Sequence, residues 1–84
     1  MSVAQKLKEK GLLLPPAPSA IANYVPATRA GDFLFLAGQL PLREGKLTSL
    51  GKVGAEVTVE EAKLAAETAT LNALAVAQQT LGDL

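Results

Sequence analysis

The clearest pattern in the chain is an apolar run, Phe33 to Ala37, placed directly after the turn-forming pair Gly31-Asp32. Glycine accepts a positive φ and aspartate hydrogen bonds to its own backbone, so this pair predicts a turn. The segment Asn23 to Ala30 before the turn is typical of an extended strand, and the run after it is short enough for a buried strand. The pattern therefore predicts an antiparallel hairpin over residues 22–40.

A second turn and a long helix are predicted further along the chain. Pro41 cannot donate a ladder hydrogen bond, so the strand ends there or lies at an edge. In the segment Arg43-Glu-Gly-Lys46, Gly45 is the residue expected to take positive φ. Lys46 to Leu50 is then a plausible third strand, and Gly51 to Val57 reads as a loop or an irregular edge.

The long helix has a clear start signal and a clear stop signal. Thr58-Val-Glu-Glu61 fits a capping box, in which the threonine hydroxyl and the glutamate side chain satisfy each other's backbone amides. The helix is predicted to run to Leu81, with Gly82 just past its end. Small side chains are expected to form one face that lies close against a sheet: Ala62, Ala65, Ala66, Ala69, Ala73, Val76 and Ala77.

The first 21 residues are predicted to form a short helix and a proline-rich linker. Ser2 is a suitable cap for a helix that runs through Lys10, and Gly11 fits the position after its end. Its apolar edge is narrow, so this helix needs another surface to persist. Leu12 to Ser19 contains three prolines, which forbid a helix and favour extended geometry.

Length and composition limit how the chain can be stabilised. Its 84 residues allow one domain at most, and a chain of this size buries only about 60–65% of the surface that its unfolded form exposes. Yet 49% of its residues are hydrophobic. The excess apolar surface predicts an oligomer, a second half of the domain, or both.

Charge and residue usage exclude several kinds of chemistry within the chain. Eight basic and eight acidic residues give zero net charge, which argues against a nucleic-acid groove. The chain has no histidine and no cysteine, so it offers no imidazole base, no thiol nucleophile and no zinc site built on those residues. No stretch is apolar enough for a membrane span. Met1 to Lys10 is too polar for a signal peptide, so a cytoplasmic location is expected.

Three pieces of the sequence, taken in order, resemble a known family. They are NYVPA at residues 23–27, FLFLAGQLP at residues 33–41, and a Glu-Ala-rich helix with an internal Asn-Ala-Leu. Together they resemble the N-terminal half of the Rid family of reactive-intermediate deaminases, also called YjgF-like or L-PSP endoribonuclease-like proteins. The resemblance covers Ala22 to Leu84, and residues 2–19 resemble a longer N-terminal variant of the family.

This resemblance implies a fold and an assembly. The expected fold is α+β and two-layered, of the chorismate mutase-like (YjgF/L-PSP) type, with an antiparallel, hairpin-rich sheet and helix 58–81 packed on one face. Residues 22–84 would be the N-terminal half of this domain. Members of the family form homotrimers with pockets between the subunits.

The resemblance also implies where a substrate would bind. Tyr24 matches the family's pocket tyrosine, although a half-buried strand aromatic is an equally good interpretation. Gly38 matches the glycine whose backbone N–H meets the substrate carboxylate. Ala37 stands where many members carry a serine, so a hydroxyl is missing from the pocket wall. Asn72 matches the family's helix asparagine, and we interpret it as structural.

The function implied is hydrolysis of 2-imino acids, of the 2-aminoacrylate type, to 2-keto acids and ammonia. This reaction needs a carboxylate clamp, a positioned water and a dry pocket, and implies no metal or organic cofactor. The family's carboxylate-binding arginine belongs to the second half, so we expect no deaminase activity from the 84-residue chain alone. The alternatives are a non-catalytic small-molecule-binding or interaction module on the same scaffold and, from the family's older name, an RNA-binding or ribonucleolytic protein.

Overall fold

The structure is a computed structural model that describes residues 2–17, 25–44, 46–82 and 84. The fold is α+β, as expected, and helix α2 packs against strands from two successive hairpins. In chain order the elements are α1 (Val3–Glu9), β1 (Ala27–Ala30), β2 (Phe33–Leu36), β3 (Leu42–Arg43), β4 (Lys46–Leu47) and α2 (Val59–Leu81).

The first hairpin confirms the predicted turn and pairing. Strands β1 and β2 are antiparallel, with Ala27 opposite Leu36 and Ala30 opposite Phe33. Gly31 takes a φ of 60° in the turn between them, in the left-handed region that glycine adopts at little cost. Strand β1 begins at Ala27, so the described residues Val25 and Pro26 are outside the strand that the sequence pattern predicted there. Residues 18–24 lie outside the part of the chain that the structure describes.

The prediction of a buried second strand is wrong for this chain. Phe33 is 71% exposed and Phe35 is 61% exposed. Their side chains lie on the same face of β2, with ring centroids 6.3 Å apart. Helix α2 packs on the hairpin, and Leu34, on the alternate face, is only partly exposed. A two-stranded ribbon has two faces, and a single helix covers only one of them.

The second hairpin is a separate two-stranded sheet. Leu42 pairs with Leu47 and Arg43 pairs with Lys46. The third strand predicted over Lys46 to Leu50 is thus limited to its first two residues. Glu44 has a φ of 54°, so a non-glycine residue takes the left-handed conformation in this turn, while Gly45 lies outside the described residues.

The loop from Gly51 to Val57 is compact, and its description as irregular is confirmed. Val53 and Val57 form an isolated parallel bridge, and the Gly54 N–H donates to the Val57 carbonyl oxygen at 2.7 Å. Gly51 has a φ of 129°, and a Cβ built on it would lie 2.6 Å from the Glu56 Cβ. Only glycine therefore fits at Gly51 without a shift of the backbone.

Helix α2 begins and ends as its sequence signals predict. Thr58 is the N-cap residue and forms the complete capping box with Glu61. At the other end Gly82 takes a φ of 90°, and its N–H donates to the Gln78 carbonyl oxygen at 2.8 Å. The helix is 23 residues long, which makes it the longest element of the described fold.

The buried side of α2 overlaps the predicted small-residue face only in part. Its buried residues are Asn72, Ala75 and Val76. Val76 belongs to the predicted face, whereas Asn72 and Ala75 do not, and Ala66 of that face is exposed. The difference has a physical cause: the Asn72 carboxamide hydrogen bonds to the chain beneath the helix, and so fixes which side of α2 faces inward.

Helix α1 follows its predicted signals but stands apart. Ser2 and Gln5 form a capping box, and Gly11 follows the helix with a φ of 70°. No other described helix or strand packs against α1, and it contains no buried residue. Across the described ranges, no helix combines the length and the hydrophobicity that crossing a bilayer would require.

Candidate functional site

Two of the three predicted site residues, Ala37 and Gly38, lie where β2 ends. The Ala37 N–H donates to the Pro26 carbonyl oxygen at 2.9 Å, which extends the hairpin pairing by one step beyond the strands. The Ala37 carbonyl oxygen accepts a hydrogen bond from the Gln39 side-chain amide at 3.1 Å. Ala37 is half-buried and has no side-chain hydroxyl to offer a ligand. The N–H and the carbonyl oxygen of Ala37 are thus both hydrogen bonded, whereas no described residue accepts from the N–H of the next residue, Gly38.

Gly38 is exposed, and its surroundings are open. A Cβ built on it meets no atom within 4 Å, and its φ lies outside the left-handed region. Neither packing nor backbone conformation therefore requires a glycine at this position within the described part of the fold. No described residue accepts a hydrogen bond from the Gly38 N–H. This combination fits a backbone donor that a ligand approaches closely, because a side chain would obstruct the approach.

Tyr24, the third predicted site residue, lies outside the described residues. The hairpin does bring Pro26 beside Ala37 through their backbone hydrogen bond. The neighbouring Val25 is 63% exposed. The role of Tyr24 in a pocket stays a prediction.

Asn72 is joined to the segment that follows Gly38. Its side chain is 1% exposed, and its Nδ2 atom donates to the carbonyl oxygens of Leu40 at 3.0 Å and Leu42 at 2.9 Å. These bonds confirm the structural role that the sequence indicated. They also add Asn72 to the neighbourhood of the site, which the sequence did not predict. The available signal was a carboxamide in the middle of an Ala- and Leu-rich helix, where it needs partners once buried.

A groove between the second hairpin and α2 was missed by the sequence analysis. Its volume is about 260 Å³, and its wall includes Arg43, Thr48 and Ser49 on one side. Glu61 and Glu67 lie on the helix side. Neither Ala37 nor Gly38 lines the groove. The groove is smaller than most small-molecule sites, which measure about 300–1,000 Å³. Because neither Ala37 nor Gly38 lines it, the groove is separate from the site at the end of β2.

The titratable groups with shifted pKa values are engaged in local backbone caps. The Thr58 backbone N–H donates to the Glu61 carboxylate at 3.0 Å, which holds the pKa of Glu61 below its usual value. The Lys52 backbone N–H does the same for Glu56 at 2.9 Å and lowers the pKa of that carboxyl. Neither group has the raised pKa that would suit a general acid. Where the chain is described, no cluster of three side chains suited to holding a metal ion was found.

The fold and the sequence place this chain in a class of proteins. Residues 4–84 match the family described as "YjgF/chorismate mutase-like, putative endoribonuclease". The chain belongs to this family. The match includes most of helix α1, which lies in the segment that resembles a longer N-terminal variant of the family.

Three known proteins are similar to the chain. Protein TCP17 of Trypanosoma cruzi is 37% identical over 82 residues, which cover 98% of this chain and 51% of TCP17. A Shewanella oneidensis MR-1 structure, titled "a putative endoribonuclease", is 41% identical with a TM-score of 0.90, over 96% of this chain and 54% of that one. Protein Atu1372 of Agrobacterium tumefaciens, described as of unknown function, is 43% identical with a TM-score of 0.79, over 95% of this chain and 47% of that one. The chain thus spans about half the length of these relatives.

Proposed function

We propose that this chain supplies the N-terminal half of a domain that hydrolyses 2-imino acids to 2-keto acids and ammonia. In this reaction water adds to the imine carbon, a carbon–oxygen bond forms and the carbon–nitrogen bond breaks. The two hydrogens of the water leave with the nitrogen as ammonia. The imine carbon is already electrophilic, so the protein needs mainly to hold the substrate carboxylate and to position the water.

The observation that carries the proposal is that no described residue accepts from the Gly38 N–H at the end of β2, while a Cβ built on Gly38 meets no atom within 4 Å. A backbone N–H is a fixed donor, and a carboxylate is an acceptor that such a donor binds strongly. A preorganised donor of this kind costs little reorganisation when the charged group arrives. Ala37 is proposed as the adjacent wall of the pocket, and Tyr24 as a further pocket residue.

The rival proposal is a non-catalytic small-molecule-binding module on the same scaffold. It is favoured by Ala37, which lacks the hydroxyl that many members of the family use at that position. In this version the Gly38 N–H still binds a carboxylate, but no group positions the water for attack. A third possibility, ribonuclease activity, comes from the words that describe the family and the Shewanella protein. Zero net charge and only three aromatic residues, two Phe and one Tyr, count against it.

We also propose that the protein assembles as a homo-oligomer, with a trimer as the expected state. The support is the uncovered apolar face of β2, where Phe33 and Phe35 are both more than half exposed. An isolated two-stranded hairpin is marginally stable in water, so this face needs a cover. The cytoplasmic location expected from the polar start of the chain stays a prediction for cell fractionation.

The test is a coupled assay on the protein that carries this chain as its N-terminal half. The assay generates 2-aminoacrylate in solution and follows keto-acid release above the uncatalysed background. Gly38→Val should lower turnover by about a hundredfold or more, the usual cost of losing one such donor, because the valine side chain obstructs the approach to the N–H. Its fold should survive, because a Cβ at Gly38 meets no neighbour within 4 Å.

A matched control and a rival substrate complete this test. Like Gly38→Val, the variant Ala55→Val replaces a small, exposed residue by valine, but in a turn away from β2. It should leave turnover unchanged. No keto-acid release by the wild-type protein, combined with carboxylate binding, would replace the enzyme proposal with the binding module. Cleavage of RNA by the same preparation, lost in Gly38→Val, would support the ribonuclease instead.

A further inference from the structure

We propose that Asn72 is a positioning residue for the site at the end of β2: it holds the segment that carries Gly38 by clamping the turn immediately after it. The part of this inference that concerns ligand affinity rests on the function proposed above. The part that concerns the geometry of residues 38–42 does not.

The turn after Gly38 is tight and centred on Pro41. The Leu42 N–H donates to the Leu40 carbonyl oxygen at 2.8 Å, which closes a three-residue turn. Pro41 has a fixed φ and no N–H of its own, so it cannot tie the turn to a neighbouring strand as a donor. The Pro41 carbonyl oxygen accepts from the Thr48 N–H at 2.9 Å, which links the turn to the second hairpin only.

Asn72 provides the side-chain link from this turn to the long helix. A carboxamide nitrogen carries two hydrogens, and both are used: one for Leu40 and one for Leu42, on either side of Pro41. At 1% exposure, water does not compete for these bonds. An aspartate has no such donors when ionised, and a leucine would leave both carbonyl oxygens without this partner.

Gly38 lies between two anchors and has no anchor of its own. Upstream, the Ala37 N–H is bonded to the Pro26 carbonyl oxygen. Downstream, the next hydrogen bonds to another element are those that Leu40 and Leu42 accept from Asn72. In the described structure, Gly38 and Gln39 make no backbone hydrogen bond of their own. The direction of the Gly38 N–H is therefore set by the two ends of this short segment, and Asn72 holds one of them.

The experiment uses the ¹⁵N-labelled protein that carries this chain as its N-terminal half, and compares Asn72→Leu with Val76→Ala. Val76 is also 1% exposed and lies one turn further along α2, but no hydrogen bond joins its side chain to the turn. Both variants should lower the unfolding midpoint. Only Asn72→Leu should shift the Gly38 and Gln39 amide signals and lower their order parameters, from the rigid range near 0.85 towards about 0.6. The amides of residues 58–61 should stay unchanged in both variants.

A titration with pyruvate, the 2-keto acid that hydrolysis of 2-aminoacrylate yields, reads out the functional part. Asn72→Leu should weaken the affinity seen at the Gly38 amide by about tenfold, because a smaller fraction of molecules has the competent geometry. Val76→Ala should leave it unchanged. If the wild-type Gly38 amide does not respond to pyruvate, the proposed ligand site fails, while the order parameters still decide the role of Asn72.

Two results would overturn the inference: rigid Gly38 and Gln39 amides in Asn72→Leu, or equal loosening in Val76→Ala. If Asn72→Leu does not fold, Asn72→Ser takes its place. It retains one hydroxyl donor in a smaller side chain, and the same comparison of the Gly38 amide applies.

Discussion

Thr58 and Glu61 cap helix α2 reciprocally. The Glu61 N–H donates to the Thr58 Oγ1 atom at 3.1 Å, and the Thr58 N–H donates to the Glu61 Oε1 atom at 3.0 Å. Two of the amides that a helix start leaves unpaired are thereby satisfied by side chains. Glu60 and Glu61 also place negative charge at the positive end of the helix.

Thr58→Ala should destabilise the protein by about 1 kcal/mol, the usual cost of replacing a threonine cap by alanine. The measurement is the free energy of unfolding from a urea titration followed by circular dichroism. Thr70→Ala is the control, because the Thr70 hydroxyl donates to the Ala66 carbonyl oxygen within the helix and caps nothing. Equal losses in the two variants would contradict the importance of the cap.

Stability should fall on acidification, and the carboxylates of Glu61 and Glu56 should contribute to the fall. Backbone hydrogen bonds from Thr58 and Lys52 hold the folded-state pKa values of Glu61 and Glu56 below their usual value. A lowered folded-state pKa adds stability that is complete above the unfolded-state value and is lost as the pH falls through the folded-state value. Urea midpoints between pH 7 and pH 3 should therefore fall less steeply in Glu61→Gln and Glu56→Gln. Parallel curves for wild type and both variants would disprove this.

Tyr24→Phe should leave the fold intact and lower the rate of the proposed deaminase about three- to tenfold, the value of one hydrogen bond from a hydroxyl. The change removes one oxygen and keeps the aromatic ring. The coupled 2-aminoacrylate assay gives the rate, and circular dichroism checks the fold. An unchanged rate would remove Tyr24 from the site.

Ala37→Ser should raise the activity or the ligand affinity by about three- to tenfold, because it adds one hydrogen-bonding group to the pocket wall. The serine is only one oxygen larger than the alanine, and Ala37 is half-buried beside the open Gly38. Ala30→Ser, on the exposed face of β1, serves as the control. No change in either quantity would show that this wall does not face the substrate.

The double variant Phe33→Ser/Phe35→Ser should sediment at lower mass than the wild-type chain. It replaces the two exposed aromatic rings that we propose an oligomer covers. Leu13→Ser is the control, since Leu13 is 88% exposed in the separate N-terminal segment. A wild-type chain that sediments as a compact monomer of 8.7 kDa at micromolar concentration would contradict the proposed assembly.

Local signals in the sequence predicted the helices and the first turn well. The capping box, the residue after the end of α2 and the turn at Gly31 depend on residues within a few positions of each other. The interactions that stabilise these features all form between residues of that short stretch, so the sequence is enough to predict them. The family resemblance then supplied the fold class, which the family match and the similar structures confirm.

Long-range packing was harder to predict. The buried side of α2 is set by Asn72, whose partners lie 30 and 32 positions earlier in the chain. An alanine stripe suggests a close-packed face, but it does not show which neighbour the helix meets. The exposure of Phe33 and Phe35 was missed for a related reason: an apolar run indicates a tendency to be buried, and the cover must come from elsewhere.

The clamp between Asn72 and the turn at Pro41 has a consequence for how the chain folds. A helix forms within about a microsecond, and a hairpin within about ten microseconds. The clamp instead joins two parts of the chain that are 30 and 32 positions apart. A loop of that length must close, and lose conformational entropy, before the hydrogen bonds of Asn72 can form and stabilise it. We infer that the docking of α2 onto the turn, rather than the formation of either element, sets the folding rate.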